Sequence, residues 1–150
     1  MIESTIRMFT IGFTKKTAEE FFTKLIQAGV RRVIDVRLNN ASQLAGFTKR
    51  DDLRFFLKKV ANIEYVHFEN LAPTQQILDT FKKEKGSWKT YESQFLALLS
   101  ERRAEENVPK DVMNEGCLLC SEETPRHCHR RLVAEYLQRK WGNVEIIHIL

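Results

Sequence analysis

Cys117-Leu-Leu-Cys-Ser-Glu-Glu-Thr-Pro-Arg-His-Cys-His-Arg-Arg131 decides how this chain folds. The apolar run from Gly116 to Cys120 is short and unbroken by charge, the pattern of a strand buried on both faces. A polar turn follows, and a helix is expected from Pro125 to about Trp141. Thr124 suits the N-cap of that helix, and Pro125 suits its first position, where a missing N–H costs nothing. A buried strand feeding directly into a helix is half of a βαβ unit.

The same alternation recurs on either side of this stretch. Arg7 to Ile11 reads as a first strand ending at Gly12. Thr17-x-x-Glu20 is a capping box, and Phe21, Phe22, Leu25 and Ile26 form a helical stripe stopped by Gly29. Val30 to Val36 reads as a second buried strand, followed by a polar loop from Arg37 to Phe47. Thr48 is expected to cap a second helix with the stripe Leu53, Phe56, Leu57 and Val60. Glu64 to Phe68 is the third strand. Pro73-Thr74 opens a helix closed by Gly86, and Ser87 opens another carrying Trp88, Tyr91, Phe95, Leu98 and Leu99. Val144 to Ile149 is the last strand. Strands alternating with helices predict an α/β fold: a single domain over residues 1–150, in three layers, with a mainly parallel sheet of about five strands and helices on both faces.

Composition narrows the class. A chain of 150 residues buries roughly 70% of its unfolded surface, enough for a core without staples. No apolar stretch approaches the roughly 20 residues of a membrane span, and no signal-peptide pattern opens the chain. A cytoplasmic protein with no membrane partner is expected. Its three cysteines are then expected as reduced thiols. The net charge of +4 is spread among acidic residues, as in Lys49-Arg50-Asp51-Asp52, which favours solvated helix faces over a dedicated nucleic-acid surface.

In a parallel sheet ligands sit beyond the carboxyl ends of the strands. Those ends are Gly12-Phe13-Thr14, Asp35-Val36-Arg37, His67 to Ala72, and Cys120-Ser121-Glu122 with the start of the last helix. At 100° per residue on that helix, Leu132, Val133, Tyr136 and Leu137 face inward. His129 lies on the same side, either tying the helix to a backbone carbonyl or acting as a general acid/base. Cys128 falls where a helix dipole and arginines favour thiolate, so it is either a nucleophile or buried packing. Arg37, beside Asp35, is either half of a salt bridge or an anion clamp working with Arg130. Glu122 is placed to pair with an arginine or to act as a base, and Thr14 and Ser42 add hydroxyls.

Other chemistries are less well matched. Phosphatase and rhodanese loops place an arginine six positions after their cysteine. Counted from Cys128, that position is Ala134. Cys117 and Cys120 lie three apart on a strand and point to opposite faces, which speaks against a shared ion or a redox pair. A metal site from Cys120, Cys128 and a histidine remains an alternative. No dinucleotide or P-loop fingerprint is present, and no cofactor is implied.

With these residues in place, the chain resembles the uncharacterised bacterial and archaeal family known as domain of unknown function 488. The resemblance spans nearly the whole length and rests on Thr10-Ile-Gly12, Asp35-Val-Arg37, Leu119-Cys-Ser-Glu122 and Cys128-His-Arg130. Leu38 to Phe47 and Leu71-Ala-Pro-Thr74 resemble one branch of it. Phe13-Thr14 stand where the family usually has His-Ser, and Asn40, Ser42 and Gln43 stand where it often has a proline and a Ser-Arg pair. Roles of the missing histidine and second arginine therefore do not carry over. The resemblance implies the fold and the site's location, and no reaction. The expectation is a small enzyme acting on a phosphate-bearing or other anionic ligand, a nucleotide or a nucleic-acid end. Arg37, Arg130, Thr14 and Ser42 would bind the anion, and Glu122, Cys128 and His129 would do the chemistry. Asp35 and Cys120 would support the site. The alternative is a nucleic-acid-binding or regulatory module built on Arg126, Arg130, Arg131, Arg139 and Lys140.

Overall fold

A computed structural model describes residues 5–41, 46–121 and 126–150. Five strands, β1 (Ile6–Gly12), β2 (Arg32–Asp35), β3 (Glu64–His67), β4 (Gly116–Cys120) and β5 (Val144–Ile149), form one all-parallel sheet in the order β3-β2-β4-β1-β5. Side chains alternate across it, as a period of two requires. Phe9, Ile11, Val33, Cys117 and Leu119 enter one core, while Met8, Ile34, Val36, Leu118 and Cys120 enter the other.

Helices cover both faces. The first core is closed by α1 (Ala18–Ala28) and α2 (Arg50–Phe56), through Phe21, Phe22, Leu25 and Leu53. The second is closed by α3 (Gln75–Lys82), α4 (Trp88–Glu101) and α7 (His129–Trp141). Two one-turn helices, α5 (Ala104–Asn107) and α6 (Lys110–Met113), bridge α4 to β4. Three start signals act as read. Thr17 and Glu20 close their capping box at 3.1 and 3.2 Å, and Thr74 and Ser87 accept from the backbone N–H groups of Ile77 and Thr90. Gly29, at φ +80°, ends α1 in the left-handed conformation that a side chain would strain.

Several local expectations are corrected. Thr48 does not cap α2; it ends a 3-10 turn (Gly46–Thr48), and Lys49 occupies the N-cap without a side-chain bond. A π turn (Leu57–Ala61) follows α2, so Leu53 and Leu57 are buried while Phe56 and Val60 are turned outward. The last helix starts at His129, not near Pro125. Cys128, in extended backbone at φ −137°, is its N-cap, and Arg126 and His127 lie in the turn before it. Thr124 and Pro125, on which the earlier start was read, lie outside the described residues. Among the described residues, no helix is long and apolar enough to cross a membrane.

Strand order positions the site. The chain passes from β1 to β2 leaving a gap, and β4 later fills it. Ligand crevices in open α/β sheets lie at such reversals, outside the carboxyl ends of the strands.

Candidate functional site

A cavity of about 300 Å³ opens over the ends of β1, β2 and β4. Phe13 lines it from β1, Arg37 and Leu38 from β2, and Cys120 and Ser121 from β4. The turn His127-Cys128-His129 forms one side, and Leu78, Phe81, Lys82, Trp88 and Tyr91 from α3 and α4 form a mostly aromatic wall. Trp88 stacks between Tyr91, at 4.9 Å, and His127, at 5.0 Å.

Beneath the cavity lies a buried ion pair. Asp35 is fully buried and its carboxylate accepts from Arg37 Nε (2.9 Å), Arg37 Nη2 (2.9 Å), the Arg37 backbone N–H (3.1 Å) and the Tyr65 hydroxyl (2.6 Å). A carboxylate out of water survives only with such saturation. Arg37 Nη2 also donates to the Thr48 carbonyl at 2.7 Å. Nη1 is the one guanidinium nitrogen of Arg37 without a hydrogen bond among the described residues, and the side chain lies over the Phe13 ring at 5.5 Å. Burial and the Asp35 charge push the Tyr65 phenol far above its ordinary range, so it stays a donor. The salt bridge read as one alternative for Arg37 is therefore present.

His129 ties α7 to the sheet. Its Nε2 stands 2.6 Å from the Val36 carbonyl, to which it must donate. That bond leaves Nδ1 as the ring's acceptor. Burial pushes the His129 pKa down to about 4, so the ring is neutral at physiological pH.

The cysteines are arranged by parity and by the turn. Cys117 faces the α1 side as a buried thiol, whose pKa burial raises. Cys120 and Cys128 face the cavity side, and their sulfurs are joined as a disulfide. The expectation of three separate reduced thiols is thus corrected: the end of β4 meets the N-cap of α7. Arg130 is fully buried and its Nη1 stands 3.2 Å from Cys120 Sγ and 3.6 Å from Cys128 Sγ.

The remaining expected residues divide. Arg130 serves the sulfurs from within the core and does not line the cavity. Thr14 is held by the loop after β4, its N–H at 3.1 Å from the Ser121 carbonyl and its hydroxyl bonded to the same oxygen. Glu122 and Ser42 lie outside the described residues. Sequence reading missed the wall of Phe81, Trp88, Tyr91 and His127, because aromatics at helical spacing look the same whether they fill a core or border a cavity. It also missed Tyr65 and His67; the His67 Nε2 lies 2.8 Å from the Arg37 carbonyl. Their positions at the end of β3, beside β2, were the available signal.

A family model described as "Domain of unknown function DUF488" matches residues 17–137. No curated protein and no solved structure matches the chain.

Proposed function

The chain belongs to the DUF488 family, a membership that carries no reaction, and we propose from the site's geometry an enzyme acting on a small phosphate-bearing molecule of nucleotide size. One observation carries this reading. Arg37 and Lys82 line the cavity, no described lining residue is a carboxylate, and the aromatic side chains of Phe13, Phe81, Trp88 and Tyr91 line it with them. That combination favours an anionic group at one end of a ligand and a flat, apolar group at the other. At about 300 Å³ the cavity is at the lower end of the roughly 300–1,000 Å³ of ligand sites, room for a mononucleotide and little more.

In this reading Arg37 and Lys82 hold the anion, with Arg37 oriented by Asp35. The aromatic cluster of Phe81, Trp88 and Tyr91 packs against the planar part. Once its bond to Cys120 is reduced, Cys128 is the reactive group, and His129 positions the turn that presents it. Glu122, directly after Ser121 in sequence, carries the proton-transfer role.

Tryptophan fluorescence tests the reading, because one of the chain's two tryptophans is in the wall. In a Trp141→Phe background, titration with nucleoside 5′-monophosphates should quench Trp88, and Lys82→Ala should weaken binding at least about tenfold, the loss of one ion pair to phosphate. Equal binding of the unphosphorylated nucleosides, or no quenching at millimolar nucleotide, would end the proposal.

A further inference from the structure

Three side chains at the floor of the cavity have a second use. We propose that the reduced protein binds one divalent transition-metal ion of zinc type through Cys120 Sγ, Cys128 Sγ and His129 Nδ1, with the fourth position open to the cavity. The three residues offer ligand atoms that lie within 4.8 Å of one another, close enough to converge on a single ion. All three line the same cavity.

The arrangement beyond the ligands is what such an ion needs. A histidine that binds a metal usually donates its other ring N–H to a backbone carbonyl, which fixes the tautomer. His129 does so to Val36 at 2.6 Å, leaving Nδ1 for the ion. Thiolate ligands are in turn steadied by N–H donors. Arg130 Nη1 stands 3.2 and 3.6 Å from the two sulfurs. The backbone spacing is compatible: the Cα atoms of Cys120 and Cys128 are 7.5 Å apart. Two thiolates on one ion need not approach as closely as two bonded sulfurs.

Charge then explains why the open position matters. Two thiolates neutralise a divalent ion, and the adjacent Arg130 leaves the centre with about one positive charge. A bound water would lose its proton readily there, and an anion would be drawn in. Two sulfurs and one imidazole with an open fourth site match a catalytic zinc centre, whereas a structural site is closed by four protein ligands. The proposal shares the cavity with the nucleotide reading but not its ligand, so either can fail alone.

Disulfide and metal are alternative states of one pair. Reduction by a phosphine breaks the S–S bond: phosphorus supplies two electrons, water supplies two protons and an oxygen, and two thiols and a phosphine oxide result. Metal binding then releases the two thiol protons to solvent. In the reducing compartment expected from the sequence, the dithiol is the form that meets metal.

The test uses the full chain, reduced with a phosphine and freed of reductant and metal under anaerobic conditions. Cobalt(II) titration should saturate at one ion per chain, with a thiolate-to-cobalt charge-transfer band and the visible bands of a tetrahedral ion. Zinc should displace it. Cys120→Ser, Cys128→Ser and His129→Ala should each lower affinity by more than about a hundredfold, and Arg130→Lys by about ten- to a hundredfold, as supporting groups do. Cys117→Ser should change nothing. If a ligand variant does not fold, alkylation of the wild type decides: zinc should shield Cys120 and Cys128 from iodoacetamide. Cobalt spectra without thiolate charge transfer, substoichiometric binding or unshielded cysteines would overturn the proposal. So would a pair that cannot be reduced without unfolding the chain, because it would then be a structural cystine.

Discussion

Asp35 shows how much of the site's architecture rests on one residue. It is fully buried, and Arg37 and Tyr65 supply all the hydrogen bonds described to its carboxylate. Removing Arg37 leaves that charge in the core without its counterion, a change that typically costs about 3–5 kcal/mol. Arg37→Met should therefore lower the denaturant midpoint steeply, beyond any effect on ligand binding. The double variant Asp35→Leu/Arg37→Met should recover much of the loss, since replacing both partners removes the unpaired charge. Additive losses in urea melts would show that the pair is not a coupled unit. Asp35-Val-Arg37 was readable as a pair in sequence, but its purpose was not. The same spacing serves a clamp and a buttress, and only the Tyr65 hydroxyl arriving from β3 distinguishes them. The opposite holds for Arg130, which the sequence offered as an anion clamp working with Arg37. Its guanidinium reaches inward to sulfurs eight residues apart, a contact that depends on how a turn closes.

At the scale of the element, α7 is fixed at both ends by tertiary bonds. Its first residue holds Val36, and its last turns meet α5: the Tyr136 hydroxyl donates to Glu105 Oε1 at 2.6 Å, and Trp141 Nε1 donates to the Glu105 carbonyl at 3.0 Å. Tyr136→Phe should cost about 1 kcal/mol, the net value of one hydrogen bond at a partly exposed carboxylate. Its pH dependence has a definite sign. The Tyr136 bond holds the Glu105 pKa below the ordinary carboxylate value, so its contribution is complete above that value and is lost as pH falls through the lowered one. Burial, followed by Glu105, pushes the Tyr136 pKa up to about 12, so at the alkaline end stability is lost as pH rises from about 10 towards 12. The difference between wild type and variant should thus be largest near neutrality and shrink at both extremes. A constant difference from acid to alkali in denaturation curves would refute it. Three helix starts could be read because Thr17, Thr74 and Ser87 carry their signal locally. The start of α7 could not. Its N-cap, Cys128, makes no side-chain capping bond, and the contacts with Cys120 and Val36 that set the boundary come from distant strands. The one-turn helices α5 and α6 likewise lack a hydrophobic period long enough to read.

For the molecule as a whole, alternating strands and helices sufficed to give a parallel sheet with two covered faces, because burial on both faces leaves unbroken apolar runs such as Gly116–Cys120. The insertion of β4 between β1 and β2 was not legible, since periodicity carries no information about which strands become neighbours. The distribution of charge was legible only in part, and it bears on the nucleic-acid alternative. Five basic residues along the last turn and helix look like a stripe in sequence, but the fold disperses them. Arg130 is in the core, Arg131 is bound to Glu135 at 3.1 Å, and Lys140 lies over the Tyr136 ring at 5.7 Å. Arg126, Arg139 and Lys140 remain exposed, the first separated from the other two by the length of the helix. A duplex gripped through about three phosphates gives a slope of log K against log salt of about −3, far from the steep values of dedicated binders. Anisotropy titrations with a short labelled duplex should accordingly show a shallow salt dependence and weak affinity at physiological ionic strength. A slope steeper than about −5 would require a basic surface of six or so phosphate contacts. It would return the nucleic-acid reading to first place, because a small cavity ligand has no means of producing it.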